Sequence, residues 1–390
     1  MSTERHILIV AGESSGDLHG SHLISATLER YPEVRFAGVG GQRMKQAGCR
    51  ILFPAEELSV MGVVEVVRHL PRMFRRFAQL KKVLAAEQPP DLLVLIDFPD
   101  FNLRLAKVAK KYGVAVLYYI SPKVWAWRPG RARMIAERVD RLALIFPFEP
   151  QIYAPFKVQA EYVGNPLLDE FSARPPACHL RSSLGLGESS EIIGIFPGSR
   201  QSELRYIFAT LRETAERLHA QRPDAVFVMP VAPSLSRSDL EQRLAGAALP
   251  LHLIEGNIYD VAASCDAVVT VSGTVTLQLT LTGTPMAIVY KVAPLSYAIG
   301  RRLIRIPFAG LPNIVAGRQI VREFIQDAAN PLSLSAEIGR ILDDPAYAGQ
   351  IRADLAGVCR QLGTPGCSLR VAEMIAEMTG LSPRKEASSW

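Results

Sequence analysis

The chain has 390 residues, 48% of them apolar and 21% charged, with 28 Gly and 27 Pro, a length that predicts two domains and a composition that excludes collagen-like, disordered and disulfide-scaffold classes. A net charge of +6 is too small to imply nucleic acid by itself. Cys49, Cys178, Cys265, Cys359 and Cys367 are scattered with no CxxC spacing, which argues against a disulfide framework or a zinc site and for a reducing, cytoplasmic setting.

Along the chain, short apolar runs ending in Gly, Ser or Asp alternate with longer amphipathic stretches, the pattern of parallel strands joined by helices. The first half predicts strands at His6–Ala11, Val34–Gly38, Leu92–Ile96, Val114–Ile120, Arg141–Phe146 and Glu161–Val163. The run from Ile7 to Ala11 is too short for a signal-peptide core. Phe171–Ser190, with Pro175, Pro176 and a Gly/Ser-rich tail, reads as an interdomain connection. The second half predicts strands at Ile192–Phe196, Ala225–Val231, Leu251–Ile254, Ala267–Val271 and Met286–Lys291. The longest uncharged stretch, Ala267–Tyr290, carries Ser272, Gly273, Gln278, Pro285 and six threonines, so it reads as strand, loop, helix, strand rather than a membrane span. The expected architecture is α/β, with two Rossmann-like doubly wound domains at residues 1–170 and 171–360.

Ligands of such sheets sit beyond the carboxyl ends of the strands. After the first strand, Gly12, Ser14, Ser15, Gly16 and Asp17 open a turn that can bring backbone N–H groups to an anion; tight packing with a capping Ser or Asp is the alternative. The apolar run Leu92–Ile96 delivers Asp97, a candidate general base, whereas Asp100 beside Pro99 has the simpler role of a helix cap. In the second half, Gly198, Ser199 and Arg200 follow a strand, and an Arg fork there suits phosphate unless a carboxylate on a neighbouring helix takes it. Ser272, Gly273, Thr274 and Thr276 open a helix whose free N–H groups favour a diphosphate, and Gly256 is counted with this nucleotide side. Without an Asp/Glu/His cluster spaced for a metal, these ends suggest a nucleoside diphosphate held by Arg and helix dipole, with no metal or other cofactor. Asn313 is a recognition candidate or an Asn bonding its own turn.

Between Val63 and Leu84, apolar residues including Met73, Phe74 and Phe77 recur at helix spacing around Pro71, interleaved with Arg68, Arg72, Arg75, Arg76, Lys81 and Lys82. Tyr297–Phe308, with Arg301 and Arg302, repeats that character. Such segments suit an anionic lipid surface, or else face the core with a solvated basic side. No continuous basic groove with stacking aromatics suggests nucleic acid. Trp125 and Trp127, beside Arg128 and Arg131, line an apolar cleft or pack in the core.

The segments Gly12–Gly20, Met61–Val67, Ile96–Asn102, Ser121–Arg133, Phe146–Tyr153, Pro197–Arg200, Ser272–Leu277 and Leu311–Arg318 resemble those of the lipid-A-disaccharide synthase family, inverting glycosyltransferases of the two-domain GT-B type. The resemblance implies two domains facing a cleft, an acceptor-side N-terminal domain and a UDP-sugar-binding C-terminal one. It implies transfer of 2,3-diacylglucosamine from its UDP derivative to 2,3-diacylglucosamine 1-phosphate, a step in lipid A assembly at the cytoplasmic face of the inner membrane. Asp97 then matches the catalytic base, Arg200 and Asn313 the essential polar residues, and Ser272–Thr274 part of the UDP site. Gln278 stands where the family usually has Glu, a ribose ligand, and Asn165 where His is common. The resemblance also implies that residues 361–390 pack on the N-terminal domain, of the same chain or of a dimer partner.

Overall fold

Apolar runs of the predicted kind form thirteen strands in a computed structural model that describes residues 4–58, 63–127, 129–177, 179–187, 189–247, 249–304 and 306–382, with backbone alone at 63–70, 202, 203, 295 and 299. The side chain of Arg68, and Met61, Arg128, Cys178 and Arg305 entirely, therefore lie outside the described residues, as do residues 383–390 of the C-terminal segment. The chain divides into one unit of residues 1–166 and 364–390 and a second of residues 167–363.

The first unit holds a seven-stranded sheet made of β1 (Arg5–Ala11), β2 (Val34–Gly40), β3 (Arg50–Pro54), β4 (Leu92–Ile96), β5 (Ala115–Tyr119), β6 (Arg141–Leu144) and β7 (Gln159–Tyr162). Its order is β3-β2-β1-β4-β5-β6-β7, and every pairing is parallel. Both faces are covered, which is why the strands read as unbroken apolar runs. Leu8, Val10, Leu93, Leu95, Val116 and Tyr118 point into one core with the helices Val63–Leu84 and Pro99–Lys111. Ile7, Ile9, Leu92, Val94, Ile96, Leu117 and Tyr119 point into the other. There they meet the helix Ser14–Arg30 and, from the far end of the chain, Cys367, Val371, Ala372 and Ile375 of the helix Cys367–Thr379. Ion pairs of Arg30 with Glu373 (2.5 Å) and Arg141 with Glu377 (2.6 Å) fringe that contact, but the buried apolar face carries it.

The second unit repeats the winding with β8 (Ile192–Phe196), β9 (Val226–Pro230), β10 (Leu251–Ile254), β11 (Ala267–Val271), β12 (Met286–Tyr290) and β13 (Glu323–Ile325). The order is β10-β9-β8-β11-β12-β13, again all parallel. Ala267–Tyr290 folds as strand, loop, helix Thr274–Thr282 and strand. The segment expected to be a plain connection contains the helix Leu180–Ser183 and is fastened to the second unit, where Arg181 donates to Asp266 (3.0 Å) and to the Ser190 carbonyl (2.6 Å). Strands β3 and β13 escaped the sequence reading for a physical reason: both are edge strands, one closed by Pro54 and the other only three residues long, so neither needs a long apolar run.

No helix among the described residues is long and apolar enough to cross a membrane.

Candidate functional site

Each sheet reverses its winding once, and that reversal is where a doubly wound sheet opens a crevice for ligands. In the first unit it lies between β1 and β4, whose last residues Ala11 and Ile96 are paired. In the second it lies between β8 and β11, paired through Phe196 and Thr270. The turns leaving those four strands carry most of the residues singled out from the sequence.

In the first unit, Asp97 and Phe98 leave β4 in the left-handed region (φ 44° and 49°), an unusual conformation for two consecutive side-chain-bearing residues that costs about 1–3 kcal/mol each. The fold supplies the compensation. Asp97 N–H donates to the Tyr119 carbonyl (3.1 Å), and the Asp97 carbonyl accepts from Asn102 Nδ2 (2.7 Å) and Tyr118 O–H (2.5 Å). Asn102 is fully buried and also donates to the Ile96 carbonyl (3.2 Å). The Asp97 carboxyl is half-buried, and burial pushes its pKa up. The Glu13 carboxylate raises it further, against the Phe98 N–H and the Lys123 charge, which pull it down. A carboxylate held this way is the arrangement a general base needs.

The glycines of the first turn serve packing. A Cβ on Gly12 would stand 2.4 Å from the Phe98 ring, one on Gly16 3.1 Å from the Ala11 Cβ, and one on Gly20 2.7 Å from the Met44 sulfur. Asp17 is buried and accepts from the N–H groups of Gly41 (2.6 Å), Met44 (3.1 Å) and Arg43 (3.2 Å), so it caps the neighbouring helix Gln42–Gln46. Gly16 and Asp17 thus make the contacts of the packing and capping alternative. Glu13, Ser14 and Ser15 remain exposed at a helix start with no side-chain cap. Asp100 pairs with Arg131 (2.5 Å), whose guanidinium lies 5.9 Å from the ring centre of Trp127.

In the second unit, Gly198 (φ 87°) turns the chain after β8 so that Arg200 becomes the exposed N-cap of the 21-residue helix Gln201–Gln221. The Ser199 carbonyl is held by Ser234 O–H (2.5 Å). After β11, Gly273 and the exposed Thr274 begin the helix Thr274–Thr282 without a side-chain cap, leaving its first N–H groups for an anion. Ser272 and Thr276 spend their hydroxyls on backbone, donating to the carbonyls of Ala309 in a neighbouring turn (2.7 Å) and of Gly273 (2.7 Å). Gln278 is half-buried beside the Tyr259 phenol. Gly256 follows β10 at the sheet edge, two strands from β8, and the fold does not bring it to the reversal.

Asn313 departs from the expectation of a catalytic group. It is fully buried, and all four of its hydrogen-bonding capacities are internal. Nδ2 donates to the Val321 carbonyl (2.8 Å) and Glu323 Oε1 (2.7 Å), while Oδ1 accepts from the N–H groups of Ile320 (2.7 Å) and Val321 (3.0 Å). Glu323 in turn holds the N–H groups of Ala309 (2.7 Å) and Gly310 (2.9 Å), whose turn receives Ser272. Asn313 stands at the far end of that chain of hydrogen bonds.

Of the basic surfaces, Phe74 is 64% exposed between exposed Arg72 and Arg75. Met73 packs toward the core, and Arg76 is committed to Glu57 through two bonds (2.7 and 2.8 Å) over the Phe53 ring, so neither joins an outward face. In the second unit Arg301, Arg302, Leu303 and Ile304 are all exposed. Sequence reasoning missed Tyr118 and Asn102 as supports of Asp97; the signal was a phenol in an apolar strand and a carboxamide among the apolar neighbours Phe101, Leu103 and Leu105 of the following helix.

A family model described as Lipid-A-disaccharide synthetase matches residues 7–354. A lipid-A-disaccharide synthase of Syntrophotalea carbinolica is 54% identical over 98% of this chain and 97% of its own, and one of Geobacter sulfurreducens 48% identical over 97% and 98%. Among solved structures, a putative UDP-N-acetylglucosamine 2-epimerase from Listeria monocytogenes superposes with TM-score 0.65 at 15% identity, covering 96% of each chain. The glycotransferase of kitacinnamycin does so with TM-score 0.63 at 18%, covering 98% of this chain and 100% of its own. At such identities these two speak for the shared fold alone. Two parallel doubly wound units, with the reversal points occupied as described and full-length relatives near half identity, make this chain a member of the lipid-A-disaccharide synthetase family of glycosyltransferases.

Proposed function

We propose that the protein transfers 2,3-diacylglucosamine from UDP-2,3-diacylglucosamine to O6 of 2,3-diacylglucosamine 1-phosphate, with inversion. The products are a β-1,6-linked tetraacyl disaccharide 1-phosphate and UDP. The observation that carries the chemistry is Asp97, a half-buried carboxylate on a left-handed backbone held from both sides at the β1/β4 reversal. In this reading Asp97 takes the proton from the acceptor 6-hydroxyl while that oxygen bonds to the donor anomeric carbon. The bond from that carbon to the diphosphate breaks, and its electron pair leaves with UDP. Arg200 and the helix starts at Gln201 and Thr274 offset the charge that grows on the diphosphate.

The test is purified protein with both substrates in detergent, with EDTA present, followed by mass spectrometry for the disaccharide and by UDP release. Acceptor-dependent product is expected. Conversion of the donor alone would instead mark an epimerase, and UDP binding without turnover a binding protein.

Substrates of this kind live in a bilayer, since each buried CH₂ is worth ~0.8 kcal/mol and a ten-carbon acyl chain therefore about 8 kcal/mol. We place the enzyme peripherally on the cytoplasmic face of the inner membrane, with Arg72, Phe74 and Arg75 and the Arg301–Ile304 stretch as contact surfaces. Arg72→Glu with Arg75→Glu should weaken sedimentation with anionic liposomes and leave the unfolding midpoint unchanged; undiminished sedimentation would refute the surface. The helix Cys367–Thr379 packs on the first unit of its own chain; in a dimer with exchanged C-terminal segments, as the family resemblance implies, it would pack on the partner's, and light scattering at the mass of a dimer is the test of that exchange.

A further inference from the structure

The transfer reading leaves one buried carboxylate unused. Glu149 is 1% exposed at the start of the helix Glu149–Tyr153. Its Oε2 accepts the N–H groups of Ile145 (3.1 Å) and Phe146 (3.0 Å) just past β6. Its Oε1 accepts the indole N–H of Trp125 (3.1 Å), which belongs to the turn leaving β5. The Trp125 ring meets Phe148 and Phe146 edge-on, with centroids 5.2 and 6.0 Å away. Ser121, four residues earlier on the same turn, shares a 2.6 Å hydroxyl bond with Tyr153. The turn is thus bolted to the β6 corner by a carboxylate, a hydroxyl pair and an aromatic cluster.

That corner is an odd place for a charge. Burial pushes the Glu149 carboxyl up to about 7, although two backbone N–H groups, the indole and Lys123 all favour its ionised form. A well-packed apolar side chain generally serves stability as well as or better than a buried ion. What the carboxylate does that an apolar group cannot is accept from two separate segments at once, and one of them borders the base. β5 lies beside β4 in the sheet, and Lys123 on the same turn acts electrostatically on both Asp97 and Glu149. Trp127, the next aromatic along, is 43% exposed.

We propose that Glu149 is a positioning residue for the transfer reaction: through Trp125 it locks the turn 120–127, so that Lys123 and Trp127 stand at fixed places on the acceptor side of the first unit. The proposal rests on the transferase reading, with Asp97 as base. Its distinguishing mark is coupling. A Gln at 149 has a single accepting oxygen, which the two backbone N–H groups claim, so its NH₂ would face the indole N–H. Trp125→Phe removes that N–H and keeps a ring in the cluster.

Both Glu149→Gln and Trp125→Phe should lower kcat, by about 10- to 100-fold, the scale on which ångström misplacement acts, with the KM for the UDP-sugar unmoved. The double variant should be no slower than Glu149→Gln alone. Losses that multiply, a donor KM that rises with the fall in kcat, or unaltered turnover in Trp125→Phe would each overturn the proposal. Thermal unfolding checks that the variants are folded, and if Glu149→Gln is not, Trp125→Phe alone decides. The Trp125 indole proton gives a readout that does not need turnover: its NMR resonance should be displaced downfield and slow to exchange in the wild-type chain and revert in Glu149→Gln. If the wild-type chain makes no disaccharide, the transferase reading fails on its own, while an indole proton at the free-solvent position overturns the clamp.

Discussion

At the β1/β4 reversal the strands hand over Glu13 and Asp97; at the matching β8/β11 reversal they hand over Gly198, Ser199 and Arg200, and Ser272, Gly273 and Thr274. The windings agree and the chemistry differs. In the first unit the Glu13 carboxylate raises the pKa of Asp97, whose backbone lies in the left-handed region and is held by contacts from Tyr119, Tyr118 and Asn102. In the second, the unusual backbone falls on a glycine, the side chains are small or cationic, and two helix starts are left open. On the proposed transfer, one geometry tunes a proton acceptor and the other receives negative charge. A common fold therefore sets where chemistry happens, and the turn residues set which chemistry it is.

The largest effects should separate the two ends. Asp97→Ala is expected to lose about 10²–10⁴-fold in kcat, as removal of a general base does. Arg200→Ala, which removes charge stabilisation of the leaving group, should lose about 10²–10³-fold and weaken the donor as well. Steady-state kinetics with each substrate varied would check the split. Next comes the scaffold of the second reversal. Asn313→Ala would strand two N–H groups, a carbonyl and a carboxylate in the interior, so an unfolding free energy lower by on the order of 3 kcal/mol is expected in denaturant titration. If Asn313 met ligand instead, the chain would keep its stability and lose only activity. Gly12→Ala should cost about 1–3 kcal/mol and slow turnover together, because the new methyl displaces the Phe98 ring next to Asp97.

The smallest effect is electrostatic. With the Asp97 pKa raised, the acid limb of the kcat/KM profile should lie above the ordinary carboxylate value of about 3.9, since the base works only when ionised and is lost as pH falls through its pKa. Glu13→Gln removes an influence that raises the pKa, so the limb should move to lower pH; Lys123→Met removes one that lowers it, so the limb should move up. Shifts of the same sign in both variants would contradict this picture.

Much of this was legible in the chain itself. Strands destined for the middle of a two-faced sheet need uninterrupted apolar runs, so Leu92–Ile96, Ile192–Phe196 and Ala267–Val271 were found with their true ends. Asp97 and Ser272 stood out because they follow such runs at once, and Arg200 because only the small turn Pro197–Ser199 separates it from one. What stayed hidden depends on partners distant in sequence. Nothing local tells that Asp17 caps a helix starting 25 residues later, that Arg76 belongs to Glu57, or that Asn313 spends its carboxamide on residues 320–323. Polar residues of that kind look alike in sequence whether they bind a ligand or the fold, and only the acceptors and donors around them tell which.

The most direct test of the division of labour is a calorimetric titration of UDP into Asp97→Ala and Arg200→Ala beside the wild-type chain. The account predicts an unchanged Kd for Asp97→Ala and at least about tenfold weaker binding for Arg200→Ala, in line with the loss of a charge-assisted contact to phosphate. Equal Kd values for wild type and Arg200→Ala, or weakened binding in Asp97→Ala, would contradict it.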